Sequence, residues 1–122
     1  MKKIYQHFSV GVFAVAIFAV AASIFLPIAQ AGEFIEVEPA VEIYYEEKGT
    51  GPPILFVPGW TFTTELFGNQ LSQLSASHRV VVIDPRSHGR STVTLEGNDY
   101  ITHAADLAKV IESLDLRDLV LV

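Results

Sequence analysis

Two short apolar runs constrain the fold of this chain more than any other feature. Residues 54–57 read ILFV and residues 80–83 read VVVI, with no polar alternation in either run. Continuous β-branched runs of this length are typical of strands that are buried on both faces, as in a parallel sheet covered by helices. A helix is expected between them, because Phe67, Leu71 and Leu74 recur at helical spacing after a possible N-cap at Thr63 or Thr64.

A second helix is predicted from Asp99, which is a good N-cap residue, to about Leu114. Its apolar face would carry Ile101, Ala104, Ala105, Ala108 and Ile111, and its polar face Asp106, Lys109 and Glu112. A third buried strand would begin at Leu119 and include the last residue, Val122. Strand and helix therefore alternate, which indicates an open α/β sheet with right-handed crossovers.

An antiparallel hairpin is predicted before this unit. Val41, Ile43 and Tyr45 alternate with Glu42, Tyr44 and Glu46, which is the pattern of a strand with one solvated face. Residues 34–37 would pair with it across a turn at Pro39. The expected fold class is thus α/β, with an open and mostly parallel sheet and an N-terminal β-hairpin.

The first 31 residues have the plan of an export signal. Lys2 and Lys3 precede an apolar run over residues 8–26, and Pro27 then leads to small residues at Ala29 and Ala31. We expect cleavage after Ala31 and a periplasmic or extracellular location for residues 32–122. The alternative is an uncleaved membrane anchor formed by residues 8–26, which would be the protein's one contact with a membrane.

The charge and the cysteine content exclude several function classes. Without Lys2 and Lys3, the eight basic residues fall to six against 14 acidic ones, a net charge of −8. An acidic surface repels phosphate backbones, so nucleic-acid binding is disfavoured. The chain has no cysteine, hence no disulfide, thiolate metal site or thiol nucleophile. No histidine pair has metal-ligand spacing, and we predict neither a metal nor a cofactor.

Two loops follow the predicted buried strands, at the edge where parallel α/β sheets bind ligands. The first is Pro58, Gly59 and Trp60. Its glycine would permit a sharp turn and leave backbone N–H groups free for an anion or a developing oxyanion; a plain strand-end turn is the alternative. The second loop spans residues 84–91 and reads DPRSHGRS.

These two loops resemble motifs of the α/β-hydrolase family. DPRSHGRS after the VVVID strand is similar to the DxRGxGxS loop, and PILFVPGW is similar to the third strand with its oxyanion loop; Pro58 and Ser87 replace a histidine and a glycine of the usual patterns. The resemblance covers residues 34–122. It implies that the backbone N–H of Trp60 is an oxyanion-hole donor and that Gly59 makes the turn. It also implies that Asp84, Arg86 and Ser91 hold the second loop together.

In this family the nucleophile lies on a GxSxG turn after the fifth strand, followed by the acid and the histidine. The sequence reaches Val122 inside that strand. We therefore expect the amino-terminal part of a serine-type hydrolase of ester or acyl substrates, small molecules in the complete domain, and no activity from this part alone. The match of residues 89–93 to GxSx lacks the second glycine and is far from a strand-to-helix junction, so it is not expected to carry a nucleophile.

Chain order also speaks against His78, His88 and His103 as the catalytic base, and each is expected to be a polar loop or helix-surface residue. Two alternatives come from other classes. The first is a small non-catalytic α/β binding or interaction protein tethered by its leader. The second, a dinucleotide-binding oxidoreductase, is disfavoured because no GxGxxG turn follows a first strand.

Overall fold

The computed structural model describes residues 32–122. The predicted signal or anchor over residues 1–31 lies outside the described residues. Within residues 32–122, no helix has the length and apolarity required to span a bilayer.

The described residues form one five-stranded sheet. Its strands are β1 (Glu33–Glu38), β2 (Val41–Lys48), β3 (Pro53–Phe56), β4 (Arg79–Ile83) and β5 (Val120–Leu121). They lie in the order β1-β2-β4-β3-β5. β2 is antiparallel to both of its neighbours, whereas β3 is parallel to β4 and to β5, so every strand except β2 runs in the same direction. The open, mostly parallel sheet and the N-terminal hairpin are as predicted.

The two helices cover opposite faces of the sheet. A 3₁₀ turn at Thr64–Phe67 leads into α1 (Gly68–Leu74), and α2 (Tyr100–Ser113) follows β4. On the α1 face, Phe67, Leu71 and Leu74 pack against Ile54, Phe56, Val80 and Val82. On the α2 face, Leu55, Val81 and Ile83 form a core with the hairpin and with Val110. Alternate residues of β3 and β4 thus enter different cores, which explains why both strands are apolar throughout.

Tyr44 departs from the predicted alternation of β2. It was expected on the solvated face, yet its side chain is buried. Phe34 packs edge-on against its ring, with centroids 5.3 Å apart. The Arg90 guanidinium lies 4.7 Å above the same ring. This face of the hairpin is therefore covered by a cation–π contact from the loop after β4, which local periodicity does not reveal.

The predicted bounds of α2 are close to the observed ones, but its predicted apolar face is correct only in part. Ile111 packs against the core, whereas the three alanines are exposed. Ile101 is 84% exposed, while Asp106 and Val110 are buried. The helix is turned so that a stripe containing polar residues faces the sheet. In this orientation Asp106 pairs with the buried Arg86, as described below, and Leu107 and Val110 pack against the core.

Candidate active site

The loops after β3 and β4 meet the start of α2 around an open cleft of about 710 Å³. The lining residues come from all three segments: Val57, Pro58, Gly59 and Trp60; Pro85 and His88; and Asn98, Asp99, Tyr100 and His103. The cleft therefore lies at the carboxyl ends of the parallel strands, where the topology places ligand sites.

The loop after β3 brings both sequence-predicted site residues, Gly59 and Trp60, to this cleft. A short turn is closed by the Phe62 N–H, which donates to the Gly59 carbonyl at 3.1 Å. Within residues 32–122, the backbone N–H of Trp60 has no hydrogen-bond acceptor. A loop N–H without a partner beside a cleft is the arrangement that an oxyanion hole requires.

The conformation of this loop differs from expectation in one respect. Gly59 has no positive φ, and a Cβ added to it would meet nothing within 4 Å. The left-handed residue is Thr61, with φ 72°. The turn itself therefore does not require glycine at position 59, and the effect of Gly59 is to leave open space beside Trp60.

Asp84 ties the loop after β4 to the loop after β3. Its buried carboxylate accepts the Thr64 N–H at Oδ1 (2.6 Å) and the Arg90 N–H at Oδ2 (2.9 Å). The first bond caps the 3₁₀ turn from outside, which explains why the predicted N-cap residue Thr63 makes no capping bond of its own. Asp84 thus holds the carboxyl end of the Trp60 loop in place.

Arg86 braces the second loop against α2. Its Nε and Nη2 donate to the two carboxylate oxygens of Asp106 at 2.8 and 2.6 Å, and Nη2 also lies 3.2 Å from Glu38 of β1. The hydrogen bonds from Arg86 to Asp106 raise the pKa of the guanidinium further above its ordinary value. The structural role implied for Arg86 is therefore observed, but its partner is on α2 and not within its own loop.

The loop after β4 contains two residues with positive φ, Ser87 and Gly89. Ser87, which stands where the pattern has glycine, adopts φ 63°. Its Oγ accepts the Thr94 N–H at 3.1 Å, a bond that glycine could not make. Gly89 has φ 51°, and a Cβ there would collide with the Asp84 carboxylate, so glycine is required at this position.

Ser91 is not a nucleophile in this arrangement. It is 4% exposed, its hydroxyl donates to the Asp84 carbonyl, and its Oγ accepts the Tyr44 N–H at 2.9 Å. A hydroxyl that bonds two backbone groups in the interior has neither an adjacent base nor access to a substrate. Ser91 instead fastens the loop to β2.

Two histidines come together in the cleft, which their positions in the sequence did not reveal. The ring of His88 lies edge-on to Trp60, with centroids 5.0 Å apart, and the His103 ring is 6.4 Å from His88. His103 is only partly exposed, and its Nε2 is buried without a hydrogen-bond partner among the described residues. The prediction of a helix-surface position is therefore wrong for His103, because α2 turns this side chain inward with Asp106.

The third histidine of the described residues, His78, precedes β4 and so lies at the opposite end of that strand from the cleft. Its Nδ1 is 2.8 Å from the Ser77 hydroxyl. In the part of the chain that the structure describes, no three His, Asp or Glu side chains converge in a way that could hold a metal ion.

Comparison with known proteins identifies the fold. A model of the α/β hydrolase fold matches residues 52–122. The chain belongs to the α/β hydrolase family. The match begins at the end of the hairpin and includes both cleft loops, so the residues that form the cleft are those of a hydrolase framework.

The relatives of this chain include proteins named as peroxidases and esterases. It is 40% identical over 83 residues to the non-heme chloroperoxidase CPO-A1 of Kitasatospora aureofaciens, covering 67% of this chain and 30% of that protein. A bromoperoxidase from Bacillus anthracis and the esterase EaEST from Exiguobacterium antarcticum each align with a TM-score of 0.71 at 33% identity, over 75% of this chain and 34% of theirs. The chain therefore spans about a third of the length of the relatives it matches.

Proposed function

We propose that this chain is the amino-terminal part of an exported, serine-type hydrolase of esters or similar acyl compounds. The observation that carries the proposal is the loop at the end of β3, where the backbone N–H of Trp60 has no acceptor within the described residues and the loop lines a cleft. In this role the Trp60 amide donates a hydrogen bond to the carbonyl oxygen of the substrate as negative charge develops on it.

The position of β5 supports the same proposal. The Val57 N–H donates to the Val122 carbonyl at 2.9 Å, so β5 and the oxyanion loop leave the sheet side by side. In serine hydrolases of this fold, the nucleophile turn follows the fifth strand directly. A serine placed there would begin next to Trp60 and could attack a carbonyl whose oxygen binds the Trp60 amide.

The described residues contribute binding and positioning rather than proton transfer. The 122 residues contain no GxSxG sequence, and Ser91 is buried and bonded to backbone groups. We therefore infer that residues 32–122 alone do not hydrolyse esters. Export is inferred from Lys2, Lys3 and the apolar residues 8–26, with cleavage after Ala31.

The test of the hydrolase proposal starts from the DNA that follows the codon for Val122, read in all three forward frames. We expect a GxSxG sequence there, and hydrolysis of a chromogenic short-chain ester by the complete protein that is abolished when the serine of that sequence is replaced by alanine. Residues 32–122 should be inactive. Hydrolysis by residues 32–122 that is lost in Ser91→Ala would contradict the proposal and make Ser91 the nucleophile.

The export proposal has a separate test. Amino-terminal sequencing of the protein from its native cell envelope or medium should give Gly32 as the first residue. A protein that retains residues 1–31 in the membrane fraction would instead support the anchor, and an intact protein in the cytoplasm would refute export altogether.

A further inference from the structure

The side chain of Trp60 contacts the imidazole ring of His88. Its side chain is 69% exposed, and the aromatic ring that contacts it within the described residues is His88, at a centroid distance of 5.0 Å and an interplanar angle of 81°. This edge-on arrangement is favourable for aromatic pairs. The contact joins the loop after β3 to the loop after β4 at the residue whose amide faces the proposed chemistry.

His88 is itself fixed from two sides. Its Nδ1 lies 2.8 Å from the Arg86 carbonyl oxygen, which can only accept, so Nδ1 carries the hydrogen. On the far side, the His103 ring stands edge-on at 6.4 Å. Arg86 is in turn paired with Asp106 of α2. The His88 ring is therefore oriented by a residue that is itself fixed against α2.

The Trp60 loop has few other restraints. Between the end of β3 and Thr64, which Asp84 holds, the backbone bonds within the described residues join Val57 to Val122, Phe62 to Gly59 and Leu66 to Thr63. Nothing lies within 4 Å of the Cβ position of Gly59. The Phe62–Gly59 bond restrains the peptide group that contains the Trp60 N–H, and the indole–imidazole contact restrains the side chain of the same residue.

We propose that His88 is a positioning residue that fixes the oxyanion loop through the Trp60 side chain. This role rests on the proposed hydrolase function. Removal of an oxyanion-hole donor lowers kcat by roughly 10²–10³. Loss of His88 would displace the donor rather than remove it, so we expect His88→Ala to lower kcat about tenfold and to change KM by less than about twofold. His88→Phe keeps a ring edge against the indole and should recover most of the rate.

A spectroscopic experiment tests the contact without requiring activity, because Trp60 is the single tryptophan of the 122 residues. The wavelength of maximal indole emission depends on the surroundings of the ring, so it reports whether the side chain of Trp60 packs against residue 88. His103→Leu is the matched control, since it removes the neighbouring imidazole and leaves the Trp60 contact.

The His103→Leu variant should keep the emission maximum of the full chain. The emission maximum should shift to longer wavelength in His88→Ala but not in His88→Phe, as the loop is released only in the former. An unchanged emission maximum in His88→Ala, or an equal shift in His103→Leu, would overturn the proposed contact. If the contact is present but His88→Ala leaves kcat unchanged in the complete protein, the positioning role is refuted. If the complete protein hydrolyses no ester, the hydrolase proposal fails while the fluorescence result still stands.

Discussion

The stability of the described fold should depend strongly on the ion pair between Arg86 and Asp106. Their side chains are 3% and 7% exposed, and two hydrogen bonds of 2.8 and 2.6 Å join them in fork geometry. Replacing one partner leaves the other charge buried and unpaired, which costs about 3–5 kcal/mol. For Asp106→Leu we expect the lower part of that range, because Arg86 keeps the half-exposed Glu38 as a partner.

The double variant distinguishes a charge effect from simple loss of packing. Arg86→Met combined with Asp106→Leu removes both charges and fills the same space with apolar atoms, so it should cost less than either single change. The measurement is the free energy of unfolding from urea titration followed by far-UV circular dichroism. A change of 3–5 kcal/mol is a large part of the about 5–15 kcal/mol typical of a domain, so the single variants should be close to unfolding without denaturant.

An exposed pair on the same helix provides the control. Lys109 and Glu112 lie 3.1 Å apart with side chains that are 58% and 73% exposed, and Glu112→Ala should change the free energy of unfolding by less than about 0.5 kcal/mol. The reasoning is refuted if Asp106→Leu costs less than about 1 kcal/mol, or if the double variant costs as much as the two single changes together.

Three further predictions follow from the local geometry. Thr102 lowers the pKa of Asp99, the N-cap residue of α2, through hydrogen bonds from its backbone N–H and its hydroxyl. The cap therefore stabilises the helix fully at neutral pH and is lost as the pH falls below about 4. Asp99→Asn should abolish the part of the acid-induced fall in Tm that comes from this cap. Thr61→Gly should stabilise the chain by about 1 kcal/mol in urea titration, whereas Ser87→Gly should be nearly neutral because it also loses a hydrogen bond. Burial raises the pKa of Tyr45 to about 12, so stability should decline as the pH rises from about 10 towards 12, and less so in Tyr45→Phe.

The order and type of the elements could be predicted from the sequence because they depend on local periodicity. The apolar runs of β3 and β4, the hairpin and the cap at Asp99 are each encoded within a few residues. The rotation of α2 could not be predicted in this way, since it depends on a pair 20 positions apart in the chain. The sequence does contain one signal of this rotation. A single helical stripe carries His103, Asp106, Leu107 and Val110. An acidic residue on an otherwise apolar stripe indicates that a cationic partner is buried with it.

The site was predicted in part for the same reason. The position of Gly59 and Trp60 at the end of a parallel strand follows from the strand order, but the contact of Trp60 with His88 does not. It requires the loop after β4 to fold back, and that path is fixed by the positive φ of Gly89 and by the bonds of Asp84. Long-range side-chain contacts of this kind leave no periodic trace in the sequence.

The polar residues of the loop after β4 each hold a different element. Asp84 binds the start of the 3₁₀ turn, Arg86 binds α2, and Ser91 binds the backbone of β2. None of these groups is free to touch a substrate, so the motif that carries the family resemblance specifies assembly of the framework rather than the reaction. In the proposed hydrolase, selectivity would then arise from side chains that are open to the cleft. His88 is the residue of this loop that contacts Trp60. Substitutions at His88 should consequently change catalysis at nearly constant stability, whereas substitutions at Asp84 or Arg86 should lower stability first.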